Sequence, residues 1–419
     1  MQQKADTPQA WERTGWGATF ASLSYRNFRL LWITTIFSAG GNWVQQVTLS
    51  WLAYDLTGSP VQVSLVLGAR TLPMLTSPLS GALADRFDRR RLLMIDHVAM
   101  MVIAMLFAGI ILAGQLETWH MYIFALVSGA TWSMNNPVRQ ALVANSVPRE
   151  MLTNAIAVNS MAFNSMRMIG PMAGGGLIVL FGPGWNFMIQ ALMYVGVLVS
   201  LIPYHADYAA TKKPDRPPFF KGLGEGFRYI GSHPVALSTM AMSLVPTFTM
   251  MAFITSQMPV FAAEDMGDPG GGTLGLLLAA MGAGGFIGTL LMARFSRYKH
   301  KGRVSLGGGF GAGLGLLVLS QVTELWLALI VLAIQQMFFM AIMMTNSAIL
   351  QSTTPDELRG RVMGVYMLDI GFQPFGGVFA GFIVAAYSVS TAWMLGALVG
   401  LAGILVLAIA APSFRRFTL

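Results

Sequence analysis

Residues 81–93 read GALADRFDRRRLL, from Gly81 to Leu93, and set Arg86, Arg89, Arg90 and Arg91 between two apolar runs, 61–84 and 92–114. Each run is long enough to cross a hydrocarbon core of roughly 30 Å, which takes about 20 helical residues. Working outward, the same reading finds spans at 28–54, 119–143, 153–181, 185–204, 234–262, 272–295, 304–322, 325–350, 361–386 and 391–411, giving twelve spans, numbered 1–12 in chain order. Inside a bilayer no water satisfies peptide groups, so each span must be a helix. The expected fold class is an all-α membrane protein.

Composition agrees. Of 419 residues, 55% are hydrophobic and 11% charged, with mean hydropathy +0.61; a soluble domain carries about 25% charged residues. Cysteine is absent, which removes disulfides, thiolate metal sites and cysteine nucleophiles and leaves the redox compartment open. The net charge of +8 would suit nucleic acid only if the basic residues shared a folded face. Sorted by loop, 24 of the 26 Lys and Arg fall on one side: the N-terminal arm, the loops after spans 2, 4, 6, 8 and 10, and the C-terminus. The opposite loops hold Asp55, Glu117, Glu264, Asp265, Asp268 and Glu324, without one Lys or Arg. The positive-inside rule then places both termini in the cytoplasm of a multi-pass inner-membrane protein, and no nucleic-acid partner is expected. Gly40, Gly41 and Asn42 interrupt span 1, unlike a cleavable signal.

The chain also matches itself at an offset of 207 residues. To within a residue or two, Gly81 with Arg89 and Arg91 overlays Gly288 with Arg297 and Lys299, and SVPREML (Ser146 to Leu152) overlays TTPDELR (Thr353 to Arg359). Six spans separate the copies, an even number, so the repeats are parallel, an arrangement that builds a central cavity at the repeat interface. The expected units are 1–204, a polar linker 205–233 and 234–419.

The loop Gly81 to Leu93 resembles the signature loop of the major facilitator superfamily, with Asp88 where the broad pattern has glycine. WVQQVTLSWLAYDLTGS from Trp43, NPVRQALVANSVPREMLTNAIAVNS and Arg167-Met168-Ile169-Gly170-Pro171 are similar to its enterobactin-exporter and drug-efflux branch. The likeness covers nearly the whole first half and weakens in the second. It implies a gating cluster of Gly81, Asp85, Arg86, Arg89, Arg90 and Arg91 against the start of span 11. It also implies an antiporter-like motif at Gly170, Pro171, Gly174 and Gly175, although Met166 stands where a small residue is expected. Spans 1, 4, 7 and 10 would line the cavity, and spans 2 and 11 would lie side by side.

Polar residues at helical spacing mark candidate cavity faces: Thr35, Ser38, Asn42 and Gln45; Ser128, Trp132, Asn135 and Arg139; Gln335, Phe339, Met343 and Asn346. Interhelical hydrogen bonding is the alternative reading of such stripes. Span 7 offers Thr247, Thr255 and Gln257 around Pro246 and Pro259. Of the thirty methionines, Met250, Met251, Met340, Met343 and Met344 are candidates for an adaptable apolar surface. Gly170 and Gly174 in span 5, and Gly284 and Gly288 in span 8, form small-xxx-small faces through which the two spans are expected to pack.

Arg70 and Arg167 are the two basic residues outside the loop tally; Asp369 is the deepest acid and Asp96 a shallower one that suits pairing with the basic loop. An ionised residue at the bilayer centre costs at least about 2.5 kcal/mol, so each is a functional candidate. At 1.5 Å rise per residue, Arg70 and Asp369 lie within about 4 Å in depth. Either they pair in one conformation and part in the other, coupling Asp369 to a proton, or they form a static pair or snorkel independently. Arg167, with Asn164 one turn earlier, either attracts anionic groups or braces helix 5.

These readings together point to a secondary active transporter exporting amphiphilic small molecules, drug-like or siderophore-like, by proton antiport with alternating access. An importer or lipid flippase of the same fold stays open. No GxxxxGK[ST], HExxH or GxSxG is present, so neither an ATP-driven pump nor an enzyme is expected. The expected partners are a small-molecule substrate, the bilayer and protons, with no cofactor, no metal and a monomeric state.

Overall fold

Each of the twelve spans carries a helix in the computed structural model, which describes residues 19–76, 87–205, 219–295 and 298–418. The first six are α1 (Arg26–Thr57), α2 (Pro60–Thr71, continued by a 3-10 turn over Leu72–Thr76), α3 (Arg89–Leu112), α4 (Thr118–Ala144), α5 (Leu152–Phe181) and α6 (Pro183–Leu201). The last six are α7 (Pro234–Asp265), α8 (Gly272–Arg294), α9 (Lys301–Leu319), α10 (Leu325–Thr353), α11 (Asp356–Ala386) and α12 (Val389–Ala410). No strand occurs among the described residues. Eight of the helices, α3, α6 and α7 to α12, are by length and apolarity alone able to cross a membrane. The long helices α1, α4 and α5 fall outside that set because they carry amides, hydroxyls and arginines.

Local chemistry sets the helix ends. Gly58, at φ 57, closes α1, and Ser59 caps α2 with Pro60 in its first turn, since proline loses no hydrogen bond there. Asp88, the departure from the superfamily loop, caps α3: its Oδ1 accepts from the Arg91 N–H at 2.8 Å. The start of α11 lies five residues earlier than hydropathy placed it, because Asp356 and Glu357 are polar yet suit a helix N-terminus. In α7, Pro246 and Pro259 are each followed by a π-helical segment, Thr247–Met251 and Phe261–Asp265. A proline that offers no N–H and crowds the preceding turn favours such widening.

The first six helices bury a core around Phe28, Leu31, Tyr194 and Tyr204 and another around Phe107, Phe124 and Phe187. The last six bury one around Phe253, Phe261 and Trp393. The linker is helical over Phe219–Ser232. That helix lies on α11, with Glu225 paired to Arg361 and Tyr229 and Ile230 packed among Leu350, Val362 and Val365. Below, the "linker end" denotes the side of the bundle bearing this helix, and the "far end" the side bearing the turns at 58–59 and 266–271.

The two groups of helices meet along α5–α8 and α2–α11. The α5–α8 approach is made by glycines other than the expected ones. A Cβ on Gly175 would lie 2.8 Å from the Gly275 Cα and the Gly271 carbonyl oxygen, and one on Gly275 2.7 Å from the Pro171 carbonyl oxygen. Gly170 and Gly174 instead seat α1, under the Trp43 Cβ and Val47, while Gly284 and Gly288 seat α10 at Ala333 and Met337. Small-residue spacing reveals that a helix face is crowded, but not which neighbour crowds it.

Gly175→Ala should therefore destabilise the protein by about 1–3 kcal/mol, the cost of overpacking, and lower the detergent-solubilised melting temperature. Gly176→Ala, where a Cβ meets nothing within 4 Å, should leave it unchanged; equal melting of the two variants would refute this account of the α5–α8 contact.

Candidate functional site

Between the two groups of helices lies a cavity of 350 Å³. Its wall on the side of the first six helices includes Asn42, Trp43, Gln46, Arg70, Trp132 and Arg167; the last six helices contribute Thr247, Thr255, Gln336, Phe339, Met343 and Gln373. Among the described residues two arginines and no carboxylate line it. Arg70 donates from Nη2 to Asn42 Oδ1 at 2.6 Å and from Nη1 to Gln46 Oε1 at 3.4 Å, leaving Nε without a partner. The Arg167 guanidinium sits 5.7 Å from the Trp43 ring centroid, within reach of a cation–π attraction. Phe163 packs edge-on against Trp43 and stacked against Trp132, both at 6.1 Å. Gln336 is fully buried with neither amide atom hydrogen-bonded. The wall thus offers cationic, amide and aromatic groups, with Met251, Met281, Met340 and Met343 as adaptable apolar filling.

Helix rotation decides which expected residues reach this wall. Asn42, Trp132, Arg167, Phe339 and Met343 do. Gln45 turns to α6, where its Oε1 accepts from Gln190 at 2.5 Å. Gln335 faces α9 against Gly315, and Asn346 accepts from Ser305 of α9 at 2.6 Å. Asn164 donates to the Ser160 carbonyl oxygen of its own helix. Asn135 and Arg139 belong to a buried polar cluster with Asp96 and His97; Arg139, counted above with the loops, is 6% exposed. Of the methionines singled out, Met250 is fully buried and Met344 exposed on the outer surface. Gln46 and Gln336, which are not in the polar stripes above, also reach the wall: Gln46 lies one turn beyond Asn42, and Gln336 shares a face with Phe339, Met340 and Met343.

Arg70 and Asp369 are not ion-paired here. Asp369, 1% exposed, turns to α7 and accepts at Oδ2 from Ser243 Oγ at 2.5 Å and Thr247 Oγ1 at 3.1 Å, while Oδ1 has no partner. Of the loop cluster, Gly81, Asp85 and Arg86 lie outside the described residues. Arg90 donates to the Leu201 and Ile202 carbonyl oxygens at the end of α6, at 3.0 and 2.6 Å. Pro171 also borders the cavity. Among the described residues no group of His, Asp and Glu could hold a metal ion.

Three hydrogen bonds on the far-end side of the cavity join the two groups of helices among the described residues. Trp51 Nε1 donates to the Pro269 carbonyl oxygen at 2.6 Å, Tyr54 OH donates to Glu264, and Gln257 Nε2 donates to Ser64 Oγ at 2.7 Å. The turn carrying Pro269 is held by Asp268, which accepts from the Gly270 and Thr273 N–H groups at 2.8 and 2.7 Å. Burial pushes the Asp268 carboxyl up, but those donors outweigh it and hold it below the usual carboxylate range.

Residues 17–416 match the model of a family described as transmembrane secretion effectors. The chain belongs to this family of the major facilitator superfamily. It is 25% identical over 341 residues to the staphyloferrin A transporter of Staphylococcus aureus, covering 80% of this chain and 84% of that one. It is 26% identical to the multidrug efflux pump Tap of Mycolicibacterium fortuitum, covering 84% and 88%. It is also 25% identical to the enterobactin exporter EntS of Escherichia coli, covering 75% and 71%. The fold matches a bacterial homologue of the lysosomal transporter Spinster in an inward-facing, unoccupied conformation, with TM-score 0.69 and 15% identity over 94% of this chain and 96% of that one. It also matches the nucleoside transporter NupG, with TM-score 0.74 and 14% identity over 92% and 99%. As a transmembrane secretion effector, the protein is a multi-pass membrane transporter of small molecules and not an enzyme.

At about 0.5–1.5 kcal/mol each, the three far-end bonds add up to about the few kcal/mol that separate interconverting states. Replacing Trp51 and Tyr54 together by Phe should lengthen the distance between spin labels on Leu56→Cys and Met266→Cys, in a chain that has no other cysteine. An unchanged distance distribution would show that these bonds do not hold the far end closed.

Proposed function

We propose that this protein exports amphiphilic small molecules from the cytoplasm by alternating access, with protons moving the other way. The observation that carries this reading is the cavity between the two groups of helices, lined by Arg70, Arg167, Trp43 and Trp132 and, among the described residues, by no carboxylate. A flat apolar body suits the tryptophans and methionines, and an anionic or polar head suits the guanidinium groups and Gln336. Exporters of siderophores and drugs among the relatives support the direction. The loop charges support an inner membrane with the linker end cytoplasmic, so the far-end bonds correspond to an inward-facing state. In this reading residues 1–204 and 234–419 are the units that rock against each other, joined by the segment 205–233.

Asp369 is the proton carrier of the proposal. It is buried, its two hydrogen-bond donors are hydroxyls, and among the described residues no cation is paired with it, so a proton added there meets a carboxylate that none of those residues balances. Arg70, held on its own side by Asn42 and Gln46, is the cation Asp369 meets when the opposite state forms. A proton bound in one state and released in the other biases the equilibrium between them, which is the requirement for coupling.

One pH unit supplies about 1.4 kcal/mol per proton, enough for about tenfold accumulation per proton exchanged. In proteoliposomes with an imposed pH gradient, wild-type protein should accumulate a dye or a siderophore to that order. Asp369→Asn should abolish the accumulation while binding of the same compound stays intact; undiminished accumulation would remove Asp369 from the mechanism. Losing a charged hydrogen bond costs about 1.5–3 kcal/mol. Arg167→Gln should therefore weaken a carboxylate or catecholate ligand at least about tenfold while sparing a neutral dye. Equal loss for both ligands would argue that Arg167 only braces α5.

A further inference from the structure

The buried ionisable cluster of the first six helices lies off the cavity wall, and the function proposed above makes no use of it. Asp96 and His97 on α3 are 4% and 1% exposed. Their hydrogens can be placed by elimination. Arginine only donates, so Arg139 Nε, 3.1 Å away, orients the Asn135 amide with Oδ1 toward α4's arginine. The Asn135 Nδ2 then faces α3, donating to Asp96 Oδ2 at 3.2 Å and to His97 Nε2 at 3.3 Å. His97 Nδ1 lies 2.7 Å from the Leu93 carbonyl oxygen, which only accepts, so Nδ1 carries the ring hydrogen. His97 Nε2 is consequently an acceptor, within 3.1 Å of the Ser38 hydroxyl as well.

Two atoms remain unpartnered in this cluster, Asp96 Oδ1 and Arg139 Nη2. Beside it is a void of 10 Å³ bordered by Ser38, Asn42, Asp96, His97 and Asn135, close to the room that one water molecule needs. Asn42 also borders the main cavity, where it accepts from Arg70. Among the described residues the groups that face Asp96 are few: on α3 itself His97 Nδ1 lies 3.5 Å from Asp96 Oδ2; α1 presents only hydroxyls and amides, including Thr34 and Thr35 on Arg139 Nη1; α4 presents Arg139; α6 presents Tyr194, whose ring meets His97 edge-on at 5.5 Å. Protonating His97 would turn Nε2 against the Asn135 amide hydrogens. Asp96 can take a proton on Oδ1 without breaking any of these bonds.

We propose that Asp96 is a second proton-binding site, exchanging its proton through the water-sized void at Asn42. No covalent step is involved: one proton passes from water to Oδ1, and the cluster goes from a balanced Arg139–Asp96 charge to a net positive one, across the void from Asn42, which itself accepts from Arg70. Its use in transport rests on the proton-coupling reading above; its existence does not.

The test is infrared difference spectroscopy of the lipid-reconstituted full chain between high and low pH, following the carbonyl stretch of buried protonated carboxyl groups. Wild-type protein should show components from both Asp96 and Asp369, and Asp96→Asn should remove one while Asp369→Asn removes the other. Should Asp96→Asn fail to fold, Asn135→Leu takes away a hydrogen bond but no titratable group. It should move the titration midpoint of the Asp96 component and leave the Asp369 component in place. A spectrum that neither change alters would make Asp96 a static counter-ion of Arg139 and overturn the proposal. Failure of the coupling reading would look different: wild-type transport indifferent to pH, with both carbonyl components intact.

Discussion

A charge carried into the bilayer must be balanced, hydrogen-bonded or neutralised, and the interior of this protein is arranged around that requirement. Arg70 is held by two amides of α1, Arg139 by Asn135 and two threonine hydroxyls, and Arg167 by the face of Trp43. Asp369 is held by two hydroxyls of α7. Every one of these partners belongs to the same group of six helices as the charge it serves. These hydrogen bonds therefore do not cross the interface, which is left free to carry a cavity, while Arg70 Nε and Asp369 Oδ1 stay without a partner.

What does cross the interface is of two kinds. At Gly175 and Gly275 backbone approaches backbone so closely that a single methyl would collide; at the far end, three side-chain hydrogen bonds span the gap. The first kind tolerates rocking, because a smooth glycine contact has no directional bonds to break. The second is directional and weak enough to be exchanged for an equivalent set elsewhere. The proposed alternating access needs this combination, since its states must differ by little more than a bound ligand or proton can supply.

Much of the molecule was legible in the chain. Apolar runs locate the twelve long helices to within a few residues where they are described, because burial in lipid leaves helix as the only way to satisfy the backbone; the helix Phe219–Ser232 of the polar linker carries no such run. The intramembrane arginines and Asp369 stood out because so few charges interrupt those runs. Side-chain direction was harder. The stripe Gln335, Phe339, Met343 and Asn346 follows helical spacing, yet Gln335 and Asn346 turn to α9, and Gln336 replaces them at the cavity. In a helix packed on all sides, a polar residue can face a neighbour's hydroxyl as readily as water, and spacing cannot tell the two apart. Arg139 shows the same limit: its place near a helix end reads as a loop charge, whereas Thr34, Thr35 and Asn135 make a buried seat for it.

The sequence by itself determined the class of molecule, the helices, the side each loop faces in the proposed topology and the short list of charges that lipid would not tolerate without reason. These follow from transfer of residues between water and hydrocarbon, a property of each residue and its near neighbours along the chain. Only the tertiary structure decided which of those charges meet the cavity, which glycines carry the interface, and that Asp96 and His97 share one void. Such outcomes depend on helix rotation and on contacts between residues far apart in sequence, and a rotation of a third of a turn exchanges a cavity wall for a core.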